Sequence, residues 1–393
     1  MSPVRLFVAL AAVLVAVVAA AWWSVRPPPD RTARLSLAEA MASDTAGYAR
    51  AVAPRPFVFP QDHGPHPDFR SEWWYATGNL DGPGGERFGY ELTVFRIALA
   101  PPDSTASADS SGWTSRQLYM AHFGLTDGVG RTHRAFERFS RGAAGLAGAH
   151  ASPFRVWLEG WSFEEGEGGM PAMRVRAAQD GYAVDLTLRP DKPAVLQGDR
   201  GLSQKGPGIG NASHYYSLTR LATEGTVETP RGRVAVTGTS WFDREWSTSA
   251  LAADQVGWDW FALQLADGRD LMLYQLRQKD GTASPFSSGV IVAPDGQATP
   301  LPVSAYRLVP ERSWRSPHSG IEYPVAWRVD IPQENLVLRV TPVVDDQELN
   351  VSVRYWEGAV DVSGPGGLSG RGYLEMTGYG DGGTARGLRT SAE

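Results

Sequence analysis

Between residues 72 and 377 the chain is written in short runs where apolar and polar side chains alternate. That period of two fits pleated strands, not helices. Such runs cover residues 72–80, 88–96, 118–125, 154–161, 173–178, 182–189, 214–221 and 234–241. They resume at 257–265, 290–292, 327–329, 336–340, 349–356 and 373–377. Turn chemistry separates them, as in Asp81-Gly-Pro-Gly-Gly85. Residues 132–150 lack the alternation and are expected to make a long excursion with some helix. A short helix is also expected within 31–56, over Leu35-Ser-Leu-Ala-Glu-Ala-Met41 and Tyr48-Ala-Arg-Ala-Val52, ended by Pro54 and Pro56.

The pattern repeats faintly. Trp74-Tyr-Ala-Thr-Gly-Asn-Leu80 aligns with Trp260-Phe-Ala-Leu-Gln-Leu-Ala266, and an Asp-Gly turn follows each, at Asp81 and at Asp267. Tyr90-Glu-Leu92 then aligns with Tyr274-Gln-Leu276. Two copies of one antiparallel unit, with no strand–helix–strand rhythm, predict an all-β protein of two tandem barrels or sandwiches. The boundaries that follow are a first barrel over 57–248 and a second over 249–380, with a polar, Gly-rich tail over 381–393 expected to be disordered.

The N-terminus changes the picture. Arg5 precedes an uncharged apolar run, residues 6–23, ahead of Pro27-Pro-Pro29. As a helix this run would be about 27 Å long, close to a bilayer core. Ala19-Ala-Ala21 suits signal cleavage, whereas Trp22 and Trp23 suit the interface of an uncleaved anchor. Residues 1–30 are therefore expected to be a signal peptide or a membrane segment in the inner membrane. Either reading places the body in the periplasm or otherwise outside the cytoplasm.

Composition narrows the chemistry. The 393 residues carry a net charge of −6 and no Lys/Arg-rich run, so nucleic acid is not an expected partner. There is no cysteine, which excludes disulfides, thiol nucleophiles and Cys-ligated zinc. The 14 tryptophans suit apolar ligand pockets as well as cores. No Gly-x-Ser-x-Gly elbow or phosphate-binding loop is present. His63 and His66 sit with Asp62 and Asp68 in a Pro-rich loop, a poor frame for a metal, and no metal or cofactor is expected. His122 reads as a satisfied core histidine, and Glu72 and Glu91 as buried partners of Arg70 or Arg96.

The candidate chemistry centres on Gly238-Thr-Ser-Trp-Phe-Asp-Arg-Glu-Trp246. Alternation sends Trp241, Asp243 and Glu245 to one face and Phe242, Arg244 and Trp246 to the other. A carboxyl among indoles must be paired, hydrogen-bonded or protonated. Upstream, a glycine-rich bend delivers His214 and Tyr216 to one face of another strand. If the two strands pair, an imidazole, a phenol, an indole and a carboxyl are expected to converge. The opposing reading is a mixed polar–aromatic core layer.

Phe59-Pro-Gln-Asp-His-Gly-Pro-His-Pro, Glu72-Trp-Trp-Tyr, Ala121-His-Phe123, Asn211-Ala-Ser-His-Tyr-Tyr-Ser, the 238–246 stretch and Gly257-Trp-Asp-Trp-Phe-Ala together resemble the two-barrel lipocalin-like family that contains the carotenoid 1,2-hydratases and secreted hydrolase-like relatives. The resemblance spans about residues 57–379. It implies two lipocalin-like barrels and a site for a long hydrophobic molecule. It also implies a cofactor-independent hydro-lyase or isomerase in which an acid protonates a carbon–carbon double bond and water captures the cation. Matched residue by residue, Asp243 takes the place of the acid and His214 that of the water-positioning base, with Tyr216 and Trp241 as substrate-binding aromatics. Trp74, Trp246 and Trp258 complete the expected substrate-binding set. Tyr216, Trp241 and Arg244 depart from the hydratase pattern, which puts a carotenoid substrate in question. A lipophilic-ligand carrier beside an ABC-type permease, and an assembly protein with a filled core, are the competing readings.

Overall fold

The computed structural model describes residues 45–102, 116–248, 251–252 and 254–380. Two antiparallel sheets organise them, both within one compact unit, Leu35–Glu393. The first has 13 strands and the second 10. The centre of the first is the run of neighbours Gln117–Asp127, Arg87–Ala98, Ser71–Asp81, Gly232–Ser247 and Ala212–Thr229. This sheet curls until Thr132–Ser140 approaches Phe154–Leu158 from the other end, closing a barrel. The second is built around Asp270–Gln278, Gln255–Leu265, Ser369–Met376 and Arg354–Ser363. The all-β, two-barrel expectation holds.

Alternation decides what each barrel buries. Inward side chains of the first, among them Trp74, Tyr216, Phe242 and Trp246, fill one apolar core, and Phe261, Trp327 and Trp356 belong to the core of the second. A third cluster joins Tyr75, Tyr215 and Trp241 of the first barrel to Trp260, Tyr274 and Tyr373 of the second. Outward-facing residues that a lone barrel would show to water are here the contact between barrels. Gly89 marks how close that contact is: a Cβ there would lie 2.4 Å from Ala359 Cβ.

The second barrel also reaches the first through buried polar groups. Asp270, fully buried, accepts from Lys192 Nζ (2.7 Å), Thr219 Oγ1 (2.9 Å) and Arg220 Nη2 (2.6 Å). Gln264 Nε2 donates to the carbonyls of Thr219 (2.8 Å) and Ser240 (2.9 Å).

Three local expectations change. Residues 45–56 carry turn and irregular backbone, not a helix. The 132–150 stretch holds strands Thr132–Ser140 and Ala147–Ala151 with a single short 3-10 turn between them. Its small and aromatic residues pair with neighbours, a tertiary override of weak local preference. Glu91 finds no arginine; it accepts from Thr93 Oγ1 at 3.1 Å, whereas Glu72 takes Arg96 and Arg244. The expected membrane segment (1–30) and tail (381–393) lie outside the described residues, as does the 31–44 part of the expected helical linker. Among the described residues no helix is long and apolar enough to cross a membrane.

Candidate active site

The site is fixed by how Ala212–Thr229 pairs with Gly232–Ser247. Near the hairpin, Thr229 faces Gly232 and Leu221 faces Ser240. Carried straight on, that register would set Leu218 opposite Asp243 and Tyr216 opposite Glu245. A bulge between Leu218 and Leu221 shifts it by one residue, so that Ser217 faces Asp243 and Tyr215 faces Glu245. Directly opposed residues share a face, and a one-residue slip exchanges the faces.

Asp243 consequently meets Tyr215 and Ser217. Its Oδ1 accepts from Ser217 Oγ (2.5 Å) and Trp241 Nε1 (2.7 Å), and its Oδ2 is 2.5 Å from the Tyr215 hydroxyl. Trp260 Nε1 donates to that same hydroxyl at 3.3 Å. Burial pushes the Asp243 carboxyl up to about 7, against the pull of these donors and with help from Glu245. With both donor-rich positions on Oδ1, the acid proton belongs on Oδ2, shared with Tyr215.

Asp243 opens on a cavity of about 140 Å³ between the barrels. Trp73, Tyr75, Phe95 and Tyr215 line it from the first barrel, and Trp258, Trp260, Tyr274 and Tyr355 from the second. Its polar groups are Asp243, Glu245, Glu357, Glu375 and Lys205, with small hydroxyls. Lys205 Nζ lies 3.3 Å from Glu245 and 4.4 Å from the Tyr274 ring centre; burial disfavours its charge, but Glu245 outweighs that and raises its pKa. Glu357 and Glu375 have no such partner. Burial first, then the charge of Glu91 on Glu357 and those of Glu357, Asp243 and Glu245 on Glu375, raise both well above the usual carboxylate range, against hydrogen bonds from Tyr75 and Tyr355 to Glu357 and from Trp258 to Glu375. Burial also raises Glu91 to about 8. The cavity wall thus carries acids that keep their protons near neutrality.

The expected site residues divide between two faces. Asp243, Trp241 and Trp258 belong to the cavity side, Trp241 through its bond to Asp243 and an edge-on contact with Trp260 (6.2 Å). His214, Tyr216, Trp74 and Trp246 face the first barrel, where the loop from Phe57 to Phe69 covers them. There Tyr216 Oη is 2.5 Å from His63 Nδ1, Trp74 Nε1 donates to the His63 carbonyl (2.8 Å), and His66 stacks on Trp246 at 3.7 Å. Arg244 lies over the Trp74 ring (4.0 Å) and pairs with Glu72. Burial brings His214 down to about 4, so it is neutral, and its Nδ1 has no partner among the described residues. The expected convergence of His214 and Tyr216 on Asp243 is therefore corrected: the bulge puts them on the opposite face. His63 and His66 spend their ring nitrogens on Tyr216, Asp62 and Arg244.

Tyr215, Ser217, Lys205, Tyr355, Glu357 and Glu375 were missing from the sequence reading. The alternation that selected His214 and Tyr216 equally offers Tyr215 and Ser217, and only the register chooses. Glu357 and Glu375 sit in strands whose pattern equally describes a solvated face.

The matching family model, AttH-like, covers residues 50–379. The chain belongs to the AttH-like family. The crystal structure of an AttH from Nitrosomonas europaea is 36% identical, with a TM-score of 0.75, over 84% of this chain and 99% of that one. Kievitone hydratase of Fusarium solani subsp. phaseoli is 23% identical over 45% of this chain and 49% of its own length. A dehydratase of Emericella nidulans, asqC, is 22% identical over 44% and 50%. The AttH-like chain thus spans about half the length of these two curated relatives. The crystal structure of kievitone hydratase from Nectria haematococca shares the fold over 86% of this chain at a TM-score of 0.62 and 17% identity. A hydratase-related two-barrel lipocalin-like fold is what these likenesses establish.

Proposed function

We propose that this AttH-like protein adds water to, or removes it from, a hydrophobic unsaturated molecule held between the barrels, with Asp243 as the general acid. The observation that carries this reading is one carboxyl raised to about 7 by burial, at the wall of an aromatic cavity. Such a group is half protonated near neutrality and strong enough to act on a weak base.

In the hydration direction the Asp243 proton, passed directly or through Tyr215, forms a C–H bond at one carbon of the double bond. The positive charge left on the other carbon is stabilised by the indole and phenol faces around it. Water then forms the C–O bond and gives up a proton. Dehydration is the reverse. The names of the two curated relatives, a hydratase and a dehydratase, support this class of reaction. His214 is not part of the proposal, because its ring is turned toward the first barrel. Placement outside the cytoplasm and partnership with an ABC-type permease are carried here on the sequence alone.

The test is turnover. Purified protein is incubated with kievitone and with a panel of isoprenoid alkenes in ¹⁸O-water, and products are read by mass for the gain of one labelled water. Asp243→Asn should lower turnover by about 100-fold or more, the range expected for a positioned acid. Turnover at the wild-type rate in Asp243→Asn removes the assigned role. A bound lipid retained equally by both proteins, with no product from either, supports the carrier reading instead.

A further inference from the structure

His122, fully buried in Gln117–Asp127, is not a quiet core histidine. Its Nδ1 lies 2.7 Å from the Tyr355 hydroxyl, across the barrel interface, and its Nε2 lies 3.1 Å from Glu137 Oε1. Glu137 keeps 14% of its side chain exposed and accepts from Ser352 Oγ at 2.6 Å. At the other end Tyr355 lines the cavity that Asp243 lines. The chain carboxylate–imidazole–phenol therefore runs from the surface to the cavity wall.

We infer that Tyr355 is a proton acceptor of this cavity, with His122 and Glu137 as the residues that position and charge it. The inference rests on the acid–base reading of the cavity given above.

Hydrogen-bond chemistry sets the direction. Burial works against the Glu137 carboxylate, but bonds from His122 and Ser352 outweigh it and hold its pKa below the usual range. A carboxylate only accepts, so Nε2 of His122 carries the hydrogen and Nδ1 is bare. The Tyr355 hydroxyl then donates to Nδ1, and its oxygen is left to accept, from Glu357, with which it is also hydrogen-bonded, and from the cavity. The arrangement is that of a base–histidine–carboxylate triad with a phenol at the working end.

In hydration, an O–H bond of the attacking water breaks and its proton goes to the Tyr355 oxygen, while the Tyr355 proton moves to His122 Nδ1. The imidazolium so formed is held by Glu137. The proton lost by Asp243 is matched by the one gained on His122, and Glu137 gives the latter a path to solvent. The other titratable groups facing Tyr355 are Glu357, Glu91 and Glu375, all acids; burial first, then their charges, raise the phenol well above its ordinary value, so it passes protons as a neutral hydroxyl and not as a phenolate. None is a base that would replace His122 while it keeps its proton.

The test uses phenylmethylsulfonyl fluoride on the full chain, with modified tyrosines mapped by peptide mass spectrometry. The S–F bond breaks, an O–S bond forms to Tyr355, fluoride leaves and the phenol proton goes to His122. Tyr355 is expected to react faster than Tyr75, which lines the same cavity and meets Glu357 but no imidazole. Its rate is read across pH in wild type and variants. His122→Asn should slow it by about 100-fold. Glu137→Gln, a same-shape change at a partly exposed position, should also slow it and alter the pH profile. If His122→Asn does not fold, Glu137→Gln decides. Tyr355 reacting no faster than Tyr75, not at all, or at an unchanged rate and pH profile in the variants overturns the inference. Labelling reads the relay without turnover, so its failure is separate from failure of the acid assigned to Asp243.

Discussion

The raised pKa of Asp243 makes the stability of the fold fall as pH rises. The group goes from an ordinary 3.8 to about 7 in the folded protein, mainly because it is buried. The raised value means that the folded state holds the proton more tightly than the unfolded chain does. Stability is then unaffected below the unfolded pKa, falls between that value and about 7, and levels off above it. At about 1.4 kcal/mol per pKa unit, the ionised form costs the fold about 4 kcal/mol at pH 8 relative to pH 3. Asp243→Asn mimics the protonated acid. Its amide oxygen takes the place of Oδ1 under Ser217 and Trp241, and its amide nitrogen donates to the Tyr215 oxygen. The variant should therefore be more stable than wild type at pH 8, by up to about 4 kcal/mol, and nearly equal to it at pH 3.5. Glu91 and Glu357 titrate in both proteins and cancel in the difference between the two urea curves, whereas Glu375, which the Asp243 charge also raises, adds to the Asp243 signal in the same direction. A difference that does not grow with pH, or an Asn variant weaker at pH 8, refutes the assignment of a raised pKa. The same variant should lose turnover, so stability and activity move in opposite directions.

Two further changes probe the frame around the site. Asp270→Asn leaves Lys192 and Arg220 without their shared anion at a fully buried position, and should lower stability by about 3–5 kcal/mol in urea unfolding. Gly89→Ala sets a methyl group 2.4 Å from Ala359 Cβ and should lower stability by about 1–3 kcal/mol, read by calorimetry, with the loss assigned to the barrel interface.

Much of the architecture was legible because alternation is a direct physical record of which side of a strand is buried. Trp241 and Asp243 do share a face and Trp246 does lie on the other, as the period of two requires. The internal echo of Trp74–Leu80 in Trp260–Ala266 marks equivalent strands of the two sheets, Ser71–Asp81 and Gln255–Leu265. What alternation cannot carry is the identity of the partner across a sheet or between sheets. Glu357 lies in a strand whose outward face meets another barrel, and only the docking of that barrel turns an ordinary surface position into a cavity wall. His122 has the same history: its useful partner, Tyr355, is 233 residues away.

The bulge between Leu218 and Leu221 ties these points together. Its extra residue is not absorbed locally. Thr219 and Arg220 are held by Asp270, and the Thr219 carbonyl by Gln264, all from the second barrel. The second barrel thus fixes the irregularity in the first that turns Tyr215 and Ser217, instead of Tyr216 and Leu218, toward Asp243. It also supplies Trp258, Trp260 and Tyr355 to the same cavity. Within the first barrel the shifted half of the strand is also held, by pairing with Val195–Leu196 and Leu202–Gln204 and by Tyr216 in the apolar core. The acid is therefore assembled by the pair of barrels: Tyr215, Ser217 and Trp241 bind it from the first, while the second walls its cavity and holds the bulge that brings Tyr215 and Ser217 to its face.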